Sequence, residues 1–211
     1  MIKNLKLIKY GYQFRLNIIF SFIFLLIGIA GMVYIDIYKV PSIHMLVYCS
    51  FLFVVQTAST LMSSNIVKSS PRYKEFCLSF QRTINILGFI CSVGLLFIIR
   101  IIQADGIKEF GEHIGKELIA AGMEYFIIVL YMVFVYKFFI VSVMLFFAST
   151  IIVNVLVNYI MELYNFTFVH GLGLAALFFV LAVILSEIIT RALYKVQPSR
   201  LAQSASLRRY I

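Results

Sequence analysis

The chain has 211 residues, of which 63% are hydrophobic and only 13% are charged, and its net charge is +9. A soluble domain has about 25% charged residues, so this composition excludes an ordinary soluble fold and places much of the apolar surface in lipid. The positive charges are not clustered with aromatic residues in a recognition motif, which argues against nucleic acid as a partner. We therefore expect an all-α, polytopic membrane protein with a single transmembrane domain.

A basic segment and a long apolar stretch form the start of the chain. Within residues 1–15, Leu5, Ile8 and Tyr12 share one helical face, which predicts an amphipathic helix on the cytoplasmic membrane surface. The apolar stretch that follows, 16–35, is longer than the roughly 7–15 apolar residues of a signal peptide. We therefore expect it to be an uncleaved first span.

Five further apolar stretches are long enough to cross a bilayer, which takes about 20 residues of α-helix. They cover residues 43–62, 83–103, 118–136, 138–161 and 170–191. Only Tyr136 and Lys137 interrupt the run 118–161, and we predict a turn there. A single span over this run, giving five spans in all, is the alternative. Residues 192–211 are predicted to be a cytoplasmic tail.

The distribution of Lys and Arg predicts the orientation, because cytoplasmic loops are enriched in both residues. One set of alternating loops and termini holds fourteen of them, and the other set holds four. The smaller set consists of Lys39, Arg100, Lys108 and Lys116. We therefore expect six transmembrane helices in the plasma membrane with both termini in the cytoplasm.

A polar loop with the sequence NIVKSSPRYKEFCLSFQRTI, residues 65–84, separates the second and third spans. Ser70 and Pro71 form a typical helix start, a capping serine followed by a proline whose missing N–H needs no partner. Phe76 and Phe80 share one face at a spacing of four residues. The loop is thus predicted to hold a short amphipathic helix on the inner membrane surface. Both anchoring to anionic headgroups and docking of a partner protein are compatible with it.

The connection 104–117 is rich in glycine and acidic residues, and we predict a solvated loop, with a short helix dipping toward the membrane as the alternative. Two acidic residues lie inside apolar stretches, where charge is costly and indicates a function. Glu124 is a candidate for lining a translocation path. Glu187 lies four residues before Arg191, a spacing that favours an intramembrane ion pair. Interhelical hydrogen bonds are expected of the polar residues Gln56, Asn154 and Asn158.

Motifs for catalysis or metal binding are missing from the sequence. The histidines lack the spacing of a metal site, and neither a GxSxG sequence nor a P-loop is present. Cys49, Cys77 and Cys91 lack metal-like spacing, and we expect no disulfide among them. We predict no catalytic residue, metal site or bound cofactor in this chain.

The order of elements resembles the six-helix permease subunits of ATP-binding-cassette exporters: an amphipathic start, two spans, a proline-containing loop and four more spans. The loop sequence SSPRYKEF is similar to the run of small, proline, basic and acidic residues in that family's coupling helix, which docks on the ATPase. The resemblance implies that docking falls to Ser70, Pro71, Arg72, Lys74, Glu75 and Phe76. Tyr73 departs from the Ser or Thr that the family often has two residues after the proline.

The resemblance also implies that ATP and Mg bind to a separate cytoplasmic ATPase subunit and that two permease subunits, identical or different, pair in the membrane. Closure of the ATPase would push the docking segment, rotate the helices and export a peptide, drug or lipid-like substrate. An accessory or structural membrane protein, such as an immunity or assembly factor, is the alternative. A third hypothesis, an intramembrane enzyme using Glu124, Glu187 or His170, conflicts with the different membrane depths predicted for these residues.

Overall fold

The computed structural model describes residues 14–34, 43–62, 65–103, 107–135, 137–163, 167–193 and 195–196. Within these ranges every regular element is a helix, so the predicted all-α class is confirmed. The helices are α1 Phe14–Tyr34, α2 Ile43–Met62, α3 Asn65–Lys68, α4 Tyr73–Gln103, α5 Ile107–Phe134, α6 Phe139–Leu163 and α7 Phe168–Leu193. The predicted amphipathic helix before α1 and most of the tail after α7 lie outside the described residues.

Helix length and hydropathy give the architecture of a polytopic membrane protein. Among the described residues, five helices are long and apolar enough to cross a membrane, namely α1, α4, α5, α6 and α7. The helix α2 has 20 residues. Its apolar stretch in the described part of the chain, Leu46–Val55, is shorter than a bilayer crossing.

The apolar run 118–161 forms two helices rather than a single continuous one. The helix α5 ends at Phe134 and α6 begins at Phe139. In the turn between them, the backbone N–H of Lys137 donates to the carbonyl oxygen of Phe134 at 2.9 Å. The Lys137 ammonium donates to the carbonyl oxygen of Val196, just beyond α7. The lysine at the midpoint of the run therefore lies at one end of the bundle, where the chain reverses.

Residues 107–117 belong to α5, so the prediction of a solvated loop over 104–117 is wrong for this part. Ile114, Glu117 and Leu118 are at most 1% exposed. Ile114 and Leu118 pack against Leu96 of α4. The helix continues because this apolar pair, four residues apart, is buried between neighbouring helices. In the sequence, the glycines and acidic residues of the segment obscured this apolar pattern.

The helix α5 lies at the centre of the bundle, and α6 lies at its edge. In the apolar stretch of α5, 67% of the residues are buried, compared with 11% of those in the apolar stretch of α6. The closest neighbour of α5 is α7, whose buried positions are all small residues, Gly171, Ala175, Ala182 and Ser186. Small residues let helix backbones approach closely in lipid. A Cβ added at Gly171 would lie only 2.6 Å from the Cα of Gly115.

Candidate functional site

The turn before α4 lies at the end of the bundle that carries Lys137, which we call the Lys137 end. Lys68 and Cys77, on either side of this turn, are close enough to Lys137 to interact with it electrostatically. Burial lowers the pKa of the Lys137 ammonium, Cys77 acts in the opposite direction, and Lys68 lowers this pKa further. Five of the predicted docking residues are exposed here, namely Ser70, Pro71, Arg72, Lys74 and Glu75.

The helix α4 begins at Tyr73, two residues after Pro71. The N–H of Tyr73 donates to the carbonyl oxygen of Ser70 at 3.0 Å, and the N–H of Phe76 donates to that of Arg72 at 2.9 Å. The Ser70 hydroxyl accepts from the N–H of Arg72 at 3.3 Å. The serine therefore closes an exposed turn in front of α4, and Pro71 lies in that turn instead of in the helix.

Phe76, the sixth predicted docking residue, is buried. Phe76 and Phe80 are 8% and 1% exposed, and their ring centroids lie 6.0 Å apart. The face they share points into the bundle, so Phe76 packs inside this chain. The predicted short helix is the first part of the 31-residue helix α4, since no proline interrupts residues 73–103.

The first turns of α4 extend beyond the length of a membrane crossing. The 31 residues of α4 span about 46 Å at 1.5 Å per residue, whereas the hydrocarbon core is about 30 Å thick. Arg82 and Arg100 enclose its apolar middle and lie about 27 Å apart along the axis. Residues 73–81 therefore continue about 13 Å past Arg82, with Phe76, Cys77 and Phe80 buried in the bundle. We call this segment the lever.

Glu187 of α7 forms ion pairs with two arginines at the base of the lever. The pair with Arg191 joins residues four positions apart on the same helix. The second pair joins α7 to α4, with Arg82 Nη2 lying 2.7 Å from Glu187 Oε2. Sequence spacing gave no signal for Arg82, which is 105 residues from Glu187. Glu187 thus connects α4 to α7 where the lever begins.

Buried polar side chains from four helices lie in the interior of the bundle. We call this set the central layer; it consists of Tyr48, Asn85, Glu124, Tyr125 and Ser186. Asn85 Nδ2 donates to Ser186 Oγ at 3.1 Å, and the Tyr125 hydroxyl donates to the Asn85 backbone carbonyl at 2.9 Å. These bonds connect α4 to both α5 and α7.

Glu124 is 1% exposed within the central layer. It is close enough to Tyr48 and Cys49 of α2 to interact with both electrostatically. It lies seven residues after Glu117, about 10 Å further along α5. The candidate for a translocation path is therefore an interior residue, at the junction of α5 with α2.

The residues of the hypothetical intramembrane enzyme do not come together. His170 Nδ1 lies 2.7 Å from the Thr167 hydroxyl at the start of α7, whereas Glu187 lies 17 residues later, about 25 Å along the same helix. Glu124 occupies the central layer between these two depths. Within the described ranges, no three His, Cys, Asp or Glu side chains form a group that could hold a metal ion.

A buried ion pair at the other end of the bundle, the Arg100 end, was missed by sequence analysis. Arg100 Nη2 lies 2.6 Å from Glu117 Oε1, and Arg100 Nε donates to Glu117 Oε2 at 2.7 Å. Glu117 is 1% exposed. Gln103 accepts a hydrogen bond from Arg100, and its Nε2 donates to the Val33 carbonyl oxygen at 3.0 Å. These bonds also connect α4 to α1 at this end. The available signal was Arg100 itself, an ionisable residue inside an apolar stretch.

Among the described residues, Asn154 and Asn158 of α6 do not form the expected interhelical hydrogen bonds. Asn154 donates to the Thr150 carbonyl oxygen of its own helix at 3.0 Å, and Asn158 is exposed. An interhelical bond occurs instead between α1 and α2, where Asn17 Nδ2 donates to Thr57 Oγ1 at 2.7 Å. The side chain of Gln56 lies outside the described residues.

Comparison with known proteins finds no family model, no curated protein and no solved structure that matches this chain.

Proposed function

We propose that this chain is the membrane permease subunit of an ATP-binding-cassette exporter and that a separate ATPase subunit docks on the exposed turn before α4. The observation that carries the proposal is the continuity of this turn with α4, which runs across the bundle as one helix. A helix with unbroken backbone hydrogen bonds moves as a rigid body, so a push on Arg72, Lys74 and Glu75 reaches its far end.

The charges of the Lys137 end support a cytoplasmic position for the docking surface. Acidic side chains described at this end are Glu75 and Glu187, whereas its described cations are Arg15, Lys68, Arg72, Lys74, Arg82, Lys137, Arg191 and Lys195. Excess Lys and Arg is typical of the cytoplasmic side. A cytoplasmic ATPase would therefore reach the lever directly.

Two contacts between α4 and α7 lie next to the lever and would change when it moves. These are the Arg82–Glu187 ion pair at 2.7 Å and the Asn85–Ser186 hydrogen bond at 3.1 Å. Glu124 lies in the same central layer. Motion of α4 against α7 would open this layer to alternate sides of the membrane. ATP and Mg act in the partner, and a second permease subunit, identical or different, completes the pathway.

Purification of the tagged chain from its native host in mild detergent tests the partner directly. We expect a stoichiometric subunit with a P-loop among the co-purifying proteins identified by mass spectrometry. The detergent must be one in which complexes of this kind stay intact. Under that condition, recovery of the chain alone would contradict the exporter proposal and favour an accessory membrane protein.

A triple substitution tests the docking surface. Replacing Arg72, Lys74 and Glu75 with alanine should lower recovery of the ATPase subunit at least about tenfold, equivalent to about 1.4 kcal/mol of binding free energy. All three side chains are exposed, so the yield and elution profile of the chain should not change. Alanine at Lys195, an exposed cation of the same end, is the matched control. Equal recovery with the triple variant and the control would exclude this docking surface.

A further inference from the structure

Two arginines share one carboxylate on the surface of the Lys137 end. Arg82 Nη2 of α4 lies 2.7 Å from Glu187 Oε2, and Arg191 Nη2 contacts the other carboxylate oxygen, Oε1. The two guanidiniums are therefore held side by side, although they belong to different helices. We call Arg82 and Arg191 the arginine pair. Its two positive charges face a single negative charge, so one positive charge remains in excess.

Both guanidiniums remain open to a further ligand. The side chains of Arg82 and Arg191 are 51% and 59% exposed. Each contacts Glu187 through Nη2, whereas a guanidinium carries several N–H donors in a planar fork that fits the oxygens of a phosphate. The excess charge selects for an anion, and a phosphate group has oxygens for both forks.

An apolar surface continues from the arginine pair along α7. Leu177, Ile184 and Arg191 recur at intervals of seven residues, so they lie on one face of the helix. Leu177 and Ile184 are exposed, as is Ile188, which lies between Glu187 and Arg191. This face extends about 21 Å from Leu177 to Arg191, which exceeds one leaflet's half of a hydrocarbon core about 30 Å thick. The surface therefore has a cationic end and a long apolar side, which together fit an amphiphile.

A free anion, a soluble acidic peptide and a zwitterionic lipid each fit only part of this surface. Inorganic phosphate would contact the arginine pair and leave the apolar face without a role. An acidic peptide would have to displace lipid from Leu177 and Ile184, which lie in a helix that can cross a membrane. A zwitterionic lipid brings its own cation next to the excess positive charge. An anionic phospholipid matches both the charge and the apolar face.

We propose that the arginine pair binds the phosphate of an anionic phospholipid from the leaflet at the Lys137 end. The phosphate oxygens accept hydrogen bonds from Arg82 and Arg191, and an acyl chain lies along Ile184 and Leu177. The phosphate then bridges α4 and α7 at the base of the lever, next to the ion pair that joins them. This site goes beyond the proposed exporter function, because it requires neither an ATPase nor a transported substrate.

Native mass spectrometry of the full-length chain in a neutral detergent, titrated with dioleoylphosphatidylglycerol, tests this proposal. We expect a bound lipid that neither dioleoylphosphatidylcholine, which has the same acyl chains, nor inorganic phosphate displaces. Arg191→Gln should lower the affinity severalfold, and its combination with Arg82→Gln should lower it at least about tenfold, equivalent to about 1.4 kcal/mol. Arg15→Gln, which removes an exposed arginine of the same end from α1, is the matched control and should bind as the wild type does.

Glu187→Gln separates phosphate binding by the arginines from their role in joining α4 to α7. The carboxylate competes with the phosphate for the same donors, so its removal should raise the affinity for dioleoylphosphatidylglycerol severalfold. Weaker binding by this variant would overturn the proposal. So would equal affinity for the two lipids, displacement by inorganic phosphate, or arginine variants that bind like Arg15→Gln. If the double variant fails to fold, Arg191→Gln alone decides, because its side chain is 59% exposed and its ion pair contributes little to stability.

Discussion

Replacing Gly171 with alanine is expected to destabilise the folded protein by about 1–3 kcal/mol, because the added carbon overpacks a backbone contact. The new Cβ would lie 2.6 Å from Gly115 Cα and 2.7 Å from its carbonyl carbon. Backbone atoms cannot rotate away as a side chain does, so α5 and α7 must move apart along their shared face. The loss should occur although alanine favours a helix over glycine by about 1 kcal/mol.

Gly173, two residues further along α7, is the matched control. A Cβ at this position meets nothing within 4 Å, so alanine should leave stability unchanged or raise it by up to about 1 kcal/mol. The measurement is the thermal unfolding midpoint of each full-length variant in the same detergent. It is read from the loss of the monodisperse peak in size-exclusion chromatography after heating. Equal midpoints for the two alanine variants would contradict the close contact between α5 and α7.

Replacing Arg100 with alanine should cost about 3–5 kcal/mol, since it leaves a buried carboxylate without its cation. Glu117 is 1% exposed and takes two contacts from the guanidinium, at 2.6 and 2.7 Å. The variant is expected to unfold at a much lower temperature in the same chromatography assay. Arg191→Ala is the control, because its side chain is 59% exposed and such ion pairs contribute less than about 1 kcal/mol.

A double replacement separates the role of charge from that of packing. Arg100→Met combined with Glu117→Leu removes both charges and keeps most of the volume. Buried ion pairs replaced by apolar residues of similar size are often neutral or stabilising, so the double variant should regain most of the loss. If the double variant is as unstable as Arg100→Ala, the loss comes from changed side-chain shape at these two positions. The explanation by an unpaired buried charge would then be wrong.

The ion pairs at the two ends of α4 differ in exposure, which bears on the proposed mechanism. At the Arg100 end, the side chains of Arg100 and Glu117 are 19% and 1% exposed. At the Lys137 end, those of Arg82 and Glu187 are 51% and 24% exposed. Exposed ion pairs are weaker and exchange more readily than buried ones. A push on the lever would therefore pivot α4 about its Arg100 end.

Much of the fold could be predicted from the sequence because a bilayer imposes simple rules. A stretch of about 20 apolar residues must become a helix, since lipid leaves no other way to satisfy its backbone. The same rules apply to Lys137, whose charge interrupts an apolar run and is found in a turn between two helices. The four-residue spacing of Glu187 and Arg191 predicted an ion pair, which is present.

The local pattern around Pro71 was a weaker guide. Ser70 and the proline predicted the start of a short surface helix, but the helix that follows continues for 31 residues. Whether such a segment ends or propagates depends on the burial of Phe76 and Phe80, which are 8% and 1% exposed. That burial is decided by neighbouring helices, and the spacing of two phenylalanines does not specify their partners.

The sequence by itself determined the all-α class, the approximate helix positions and the residues whose charge is costly in lipid. The tertiary structure alone decided which of these residues meet. Arg100 contacts Glu117, and Arg82 contacts Glu187. The reason is physical: burial in lipid acts on each segment separately, whereas pairing depends on how closely helices approach. That approach is set by small residues such as Gly171, whose effect appears only when the facing backbone is known.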